Sequence, residues 1–171
     1  MLVSRRRILA GVTAFLFVVL VACGLRTEVF RSSFGGVERN ELLAVSDVVV
    51  IARVADDEPE QRRIGPDYVW TQFDLEILKT LKGRPLATLT QPGGSDDGLE
   101  QVFPDVAYVE PGETYLMFLD TTPIGDEPAM QVIGAPQQVL FRMTGPESFE
   151  NLDGSYRFTL DELEAAAAAA E

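Results

Sequence analysis

The sequence predicts a mainly β domain that ends in a short C-terminal helix, built as an antiparallel β-barrel or, as the alternative, a β-sandwich. About seven short segments rich in β-branched and aromatic residues follow residue 47, and turns containing Pro or Gly separate them. No segment with a helical hydrophobic period lies between these strands. Short strands at regular spacing are typical of barrels and sandwiches.

Two different hydrophobic patterns define the first elements. Residues 38–44 favour one or two helical turns, after which the signal changes to strands. Residues 48–54 form a nearly continuous apolar run rich in β-branched residues, which is expected of a strand buried on both faces or curled within a barrel. Residues 68–78 instead alternate between the two faces, which predicts a strand with one buried face.

The rest of the domain is assigned from shorter segments and from turn residues. The predicted strands are 86–91, 106–109, 114–119, 130–133, 139–143 and 156–158, and the predicted loops are 56–66, 79–85, 92–98 and 121–128. Thr159 and Glu162 have the spacing of a capping box, and alanine-rich sequence follows them. Residues 160–171 are therefore predicted to form the C-terminal helix.

The composition excludes several classes of function. The chain has 171 residues, 14 Lys and Arg against 27 Asp and Glu, no His and one Cys, for a net charge of −13. Without His, there is no catalytic triad with a histidine base, no histidine-ligated zinc and no histidine pH switch. A single Cys forms no disulfide within the chain. The acidity would repel a phosphate backbone, so we expect no nucleic-acid partner, and we expect no cofactor.

The first 22 residues have the organisation of an export signal, with a predicted signal helix. Three consecutive arginines come first, and residues 8–22 are an uncharged apolar run that is short for a membrane span. Arg5 and Arg6, within Ser4-Arg5-Arg6-Arg7-Ile8-Leu9, also resemble the twin-arginine export motif. A plain basic segment of a general export signal is the alternative.

The apolar run ends in a sequence that resembles a bacterial lipobox, Leu20-Val21-Ala22-Cys23. The resemblance implies cleavage before Cys23 and lipidation of its thiol, which would anchor the chain to the cell membrane on the extracytoplasmic face. An uncleaved membrane helix is the alternative. Cleavage would remove three arginines and no acid, so the net charge of the mature chain would be −16.

The predicted organisation is a signal peptide at 1–22, a tether at 23–36 and a single domain at 37–171. Within that domain, Ser46-Asp47 precedes the first strand, Leu81-Lys82-Gly83 follows the second, and Pro92-Gly93-Gly94 and Pro111-Gly112-Glu113 supply turns. Together these segments resemble exported bacterial domains related to the netrin and tissue-inhibitor-of-metalloprotease modules. The resemblance spans residues 46–143 and implies an OB-like barrel. It does not imply protease inhibition, because acylation would block the amine of Cys23.

Acidic loops contain the only side chains suited to general acid–base catalysis or calcium binding. Asp96, Asp97 and Glu100 lie in a glycine-rich loop, and Asp56, Asp57, Glu58 and Glu60 lie in another. Neither loop has the spacing of an EF-hand, and solvated surface carboxylates are the alternative.

Two aromatic residues on the polar face of the long strand, Tyr68 and Trp70, are candidate contacts for a sugar or peptide. Packing of Trp70 beneath a loop or the terminal helix is the alternative. We therefore expect a non-enzymatic binding domain whose partners are the membrane, through Cys23, and an envelope protein or small ligand. The alternatives are a carboxylate-dependent envelope hydrolase and a calcium-dependent structural module.

Overall fold

The computed structural model describes residues 26–29, 41–64, 68–104 and 106–169. These residues form twelve strands and three short helices, as the mainly β prediction requires. The strands are β1 Arg26–Val29, β2 Val48–Val54, β3 Glu60–Ile64, β4 Tyr68–Lys82, β5 Thr88–Pro92, β6 Gly94–Asp96, β7 Leu99–Val102, β8 Thr114–Thr121, β9 Met130–Val132, β10 Leu140–Gly145, β11 Ser148–Asn151 and β12 Arg157–Thr159. The helices are α1 Leu42–Val45, α2 Pro136–Val139 and α3 Leu160–Ala169.

Most strands belong to one large antiparallel sheet. Its order is β12-β11-β10-β8-β2-β4-β3, and β5 and β9 pair with β4 and β8. A smaller sheet has the order β1-β7-β6, in which β1 is parallel to β7 and β6 is antiparallel to it. The described strands do not close into a barrel.

Strand β4 connects the two halves of the large sheet. Its first half pairs with β3 and β5, and its second half pairs with β2. The register between β2 and β4 shifts twice, between Val49 and Val50 and between Ile51 and Ala52. Such irregularities bend a strand and increase its twist, which allows β4 to pair with strands in both halves of the sheet. Its buried and accessible residues alternate up to Glu76, which confirms the predicted period of two.

Strands β2 and β8 are buried on both faces. One face of β2 packs into a core with Tyr115, Met117 and Leu119, and its other face packs into a second core with Leu116 and Phe118. Leu42 of α1 and Leu163 of α3 belong to the second core, so the helices cover that face of the sheet. The prediction of a doubly buried strand at residues 48–54 is therefore confirmed.

The C-terminal helix begins with the predicted capping box. The backbone N–H of Glu162 donates to Thr159 Oγ1 at 3.3 Å, and the backbone N–H of Thr159 donates to Glu162 Oε2 at 2.9 Å. These bonds satisfy two amides at the start of α3.

Several boundaries predicted from sequence are wrong. The predicted loop 56–66 contains β3, and the predicted loop 92–98 contains β6 and the turn to β7. Both β3 and β6 are short and rich in polar residues, so they have no hydrophobic period. The predicted turn 79–85 begins too early, because Thr80 and Lys82 still pair with β2.

Three further segments differ from the predictions. Residues 106–109, predicted as a strand, form no strand, and β11 lies where none was predicted. Strand β1 lies within the segment predicted as a tether.

Candidate functional site

The main candidate site lies between β4 and the β6–β7 hairpin. This opening, which we call the hairpin cleft, has a volume of about 400 Å³. Its apolar walls come from Phe73 on β4, Val102 on β7, and Tyr108 and Val109 in the following loop. Gln61, Thr71 and Gln101 add neutral amide and hydroxyl groups. An apolar opening with a few neutral polar groups is typical of small-ligand sites.

Side chains attach the hairpin to β3 and β4. The backbone N–H of Val69 donates to Gln101 Oε1 at 2.7 Å, although Gln101 lies on the other sheet. The backbone N–H of Ser95 donates to Gln61 Oε1 at 2.6 Å, and Thr71 Oγ1 donates to the Gly93 carbonyl oxygen at 2.7 Å. Among the described strands, the two sheets share no backbone hydrogen-bond ladder, so these side-chain hydrogen bonds join them and fix the width of the cleft.

The close approach of the hairpin to β4 requires glycine. Gly93 has φ +101° and Gly94 has φ +132°, both in the region that other residues rarely adopt. A Cβ atom on Gly93 would lie 2.3 Å from the hydroxyl oxygen of Tyr108, and one on Gly94 would lie 2.7 Å from Thr71 Oγ1. Pro92-Gly93-Gly94, which the sequence places at the start of a loop, is therefore a tightly packed segment.

The loop that carries Tyr108 is held by a buried side-chain amide. Gln91 Nε2 donates to the Ala107 carbonyl oxygen at 3.1 Å, and the backbone N–H of Val109 donates to Gln91 Oε1 at 3.1 Å. Tyr108 donates its hydroxyl proton to the Pro92 carbonyl oxygen at 2.5 Å. Burial raises the pKa of Tyr108, which keeps the phenol neutral and able to donate this bond.

A second opening of about 480 Å³ lies on the other side of Tyr108 and contains Arg142. Arg142 Nη2 donates to Glu110 Oε1 at 2.6 Å and to the hydroxyl oxygen of the fully buried Tyr115 at 3.3 Å. These two hydrogen bonds raise the pKa of Arg142. Its charge is therefore engaged by the protein's own groups, which makes this opening a weaker candidate than the hairpin cleft.

The predicted aromatic contacts lie outside the hairpin cleft. Tyr68 is 51% exposed at the start of β4. Trp70 is half-buried and lies opposite Arg62 on β3 and Pro92 on β5. Neither Tyr68 nor Trp70 is among the described residues that line the cleft. Their role in ligand contact stays a prediction.

The predicted calcium residues have separate partners. Asp96 Oδ2 accepts the backbone N–H of Arg63 at 3.1 Å, and Glu100 Oε2 accepts the hydroxyl proton of Thr27 at 2.8 Å. Asp97 forms the β6–β7 turn at φ +44°. Across the part of the chain that the structure describes, there is no group of three or more His, Cys, Asp or Glu residues placed to hold a metal ion.

The other predicted acidic loop is divided between two environments. Asp56 accepts from the Arg53 guanidinium at 2.6 Å. An opening of about 340 Å³ is lined by four exposed acids, Asp57, Glu58, Glu60 and Asp74. Exposed carboxylates stay hydrated, which agrees with the alternative of a solvated surface.

The residues of the predicted export signal and lipobox, Arg5, Arg6, Leu20, Val21, Ala22 and Cys23, lie outside the described residues. None of the helices in the described ranges is long and apolar enough to span a membrane.

Sequence reasoning did not identify Gln61, Gln91, Gln101 or Tyr108. The only signal was the presence of Gln91 in a predicted strand, because a buried amide requires hydrogen-bond partners. Comparison of the whole sequence with models of protein families and with curated proteins gives no match.

Proposed function

We propose that the protein is a lipid-anchored, extracytoplasmic binding domain without enzymatic activity, and that it binds a small ligand in the hairpin cleft. The observation that carries this proposal is the chemistry of the cleft. It combines apolar walls with the neutral groups of Gln61, Thr71 and Gln101. The apolar walls can bury the apolar surface of a ligand, and the three neutral side chains, which are bonded within the protein, fix the shape of the opening.

The ionisable groups of the cleft favour binding over acid–base chemistry. Glu100 and Tyr108 are the ionisable residues among those that line it. Glu100 accepts from Thr27, and the hydroxyl of Tyr108 is bonded to the Pro92 carbonyl oxygen. General acid–base catalysis needs a proton donor and a proton acceptor that both face the substrate. The Glu100 carboxylate and the Tyr108 hydroxyl are each already hydrogen-bonded to another group of the protein.

An OB-like topology is the finer fold assignment that we propose. The long β4 strand, which pairs with β2 in one half and with β3 and β5 in the other, supports it. OB folds are partly open Greek-key barrels, so open edges among the described strands agree with this assignment.

The lipid anchor is proposed from the sequence around Cys23. Three arginines, an uncharged apolar run and Leu20-Val21-Ala22-Cys23 occur in the order and at the spacing of a lipoprotein signal. Two or three acyl chains on one residue are sufficient for stable attachment to a membrane. Cys23 is also the only thiol in the chain, so a diacylglyceryl group attached through a thioether has one available position.

Metabolic labelling with radioactive palmitate tests the anchor. The wild-type chain is expected to incorporate label and to sediment with membranes after a carbonate wash. Cys23→Ala is expected to lose all label and to accumulate as the longer, uncleaved precursor. Thr27→Ala, four residues further on, serves as the matched control and should label like wild type. Equal labelling of wild type and Cys23→Ala would overturn the proposed anchor.

A further inference from the structure

We propose that the hairpin cleft binds the hydrocarbon chain of a neutral, single-chain amphiphile taken from the membrane surface. This inference rests on the proposed function, because it assigns a ligand class to the same cleft and uses the proposed anchor at Cys23.

The walls of the cleft are suited to hydrocarbon. Phe73, Val102, Val109 and the ring of Tyr108 present carbon atoms to the opening. Nearby polar atoms are already bonded within the protein: Thr71 Oγ1 donates to Gly93, and the Tyr108 hydroxyl donates to Pro92. A ligand surrounded by carbon and by satisfied polar atoms gains affinity mainly from burial of its own apolar surface.

The charges around the cleft select a neutral head group. Glu100 lines the opening, and Gln101 donates to the Glu28 carboxylate at 3.4 Å. The predicted mature chain has a net charge of −16, so the long-range potential also repels anions. A free fatty acid would bring its carboxylate toward these groups, whereas a monoacylglycerol would bring only uncharged hydroxyl and ester groups.

The position of β1 places the cleft close to the anchor. Cys23 lies three residues before Arg26, the first residue of β1, and three residues span at most about 11 Å. Strand β1 is parallel to β7, with Arg26 opposite Leu99 and Val29 opposite Val102. The wall at Val102 is therefore held within about 25 Å of the acylated residue. A short connection of this kind raises the effective concentration of membrane lipids at the cleft.

A photoreactive monoacylglycerol, with a diazirine in its acyl chain, tests the inference on the full-length protein in phosphatidylcholine vesicles. Labelled peptides are mapped by mass spectrometry, and we expect labelling in β7 and in residues 106–109. Val102→Asp, which puts a charge on the wall, should reduce that labelling at least tenfold. Leu78→Asp is the matched control, because Leu78 is an exposed apolar residue of β4 outside the cleft, and it should label like wild type.

Competition by unlabelled monoacylglycerols supplies a second measurement that needs no substitution in the cleft. Measured with the Cys23→Ala chain in solution without vesicles, each additional methylene between eight and twelve carbons should strengthen competition about fourfold, until the cleft is filled. Lauric acid should compete at least tenfold less well than monolaurin. Competition that is independent of chain length, or labelling that is unchanged in Val102→Asp, would overturn the inference.

The Cys23→Ala chain separates failure of the ligand assignment from failure of the anchor. Probe added from solution should still label the cleft of this variant, because the cleft walls do not include the acylated residue. Palmitate incorporation without cleft labelling would leave the anchor standing and reject the amphiphile. Cleft labelling without palmitate incorporation would keep the amphiphile as the ligand class and reject delivery by the anchor.

Discussion

The two-faced core around β2 and β8 and the hairpin cleft are held together by different interactions. In the core, aliphatic and aromatic side chains pack on both faces of the sheet, and Phe118 meets Phe141 edge to face at 5.7 Å. In the cleft, amide groups of Gln91 and Gln101 bond to the backbone of neighbouring segments. The stability of the core depends on the volume that its side chains fill, whereas the shape of the cleft depends on the position of individual polar atoms.

Because of this difference, the core and the cleft should respond differently to amino-acid substitution. Apolar packing loses free energy in proportion to the volume removed, and it tolerates swaps that conserve volume. A buried side-chain amide that bonds to the backbone cannot be exchanged for an apolar group of the same size without leaving its partners unpaired. Substitutions that conserve shape should therefore be mild in the core and damaging at the cleft.

The largest expected effect is in the core. Phe141→Ala removes a fully buried ring that packs 5.0 Å from Phe158 and 5.7 Å from Phe118. The free energy of unfolding should fall by about 3–5 kcal/mol. Urea denaturation of the two chains measures the change. Tyr156→Ala, at a residue that is 42% exposed, should stay within about 0.5 kcal/mol of wild type. A loss below about 1 kcal/mol for Phe141→Ala would mean that this face is not a packed core.

A smaller but more local effect is expected at the cleft. Gln91→Leu conserves the approximate shape of a fully buried side chain but leaves the Ala107 carbonyl and the Val109 N–H without their partner. The free energy of unfolding should fall by about 2 kcal/mol. Hydrogen exchange at the Val109 amide, read by NMR or mass spectrometry, should become about 30-fold faster.

Gln72→Leu is the matched control for this prediction, because Gln72 lies on the neighbouring strand β4 and is half-buried. It should leave exchange at Val109 unchanged. If Gln91→Leu also left that exchange rate unchanged, Val109 would be held by something other than the side-chain amide.

The same contrast explains which elements can be predicted from the sequence. Strands β2 and β4 have hydrophobic patterns that follow directly from their burial, and α3 is marked by its capping box. Residues 106–109 misled the prediction because Val106 and Val109 are buried like strand residues. Ala107 and Val109 bond to the side chain of Gln91, and the backbone N–H of Val106 donates to the Phe103 carbonyl oxygen. No periodic pattern encodes such bonds.

The candidate site was harder to predict than the fold for a related reason. Gln61, Thr71, Gln101 and Tyr108 lie far apart in the sequence and are common residue types. What joins them is the approach of the hairpin to β4, which depends on the backbone conformation of Gly93. The glycines were visible as a turn signal, but a turn signal does not indicate which strand the turn will pack against.

The smallest expected effect is a contrast in pH dependence between the turn after β11 and the hairpin cleft. Hydrogen bonds from Ser155 lower the pKa of Asp153, in the turn after β11, while burial raises the pKa of Tyr108 at the cleft. A lowered carboxyl pKa contributes stability above the ordinary value of about 4, and that contribution is lost as pH falls through the lower folded value. A raised phenol pKa contributes stability below about 10, which is lost as pH rises further.

Melting temperatures measured between pH 3 and pH 11 report the loss of stability at the acid end and at the alkaline end of this range. Asp153→Asn should flatten the loss of stability on the acid side only, and Tyr108→Phe should flatten the loss on the alkaline side only. Asp126→Asn, an exposed acid between β8 and β9, is the control and should reproduce the wild-type profile at the alkaline end. If Tyr108→Phe kept the full alkaline slope, the phenol would not titrate from within the cleft wall. Because both substitutions remove hydrogen bonds, the diagnostic quantity is the slope with pH, which a purely structural loss would leave unchanged.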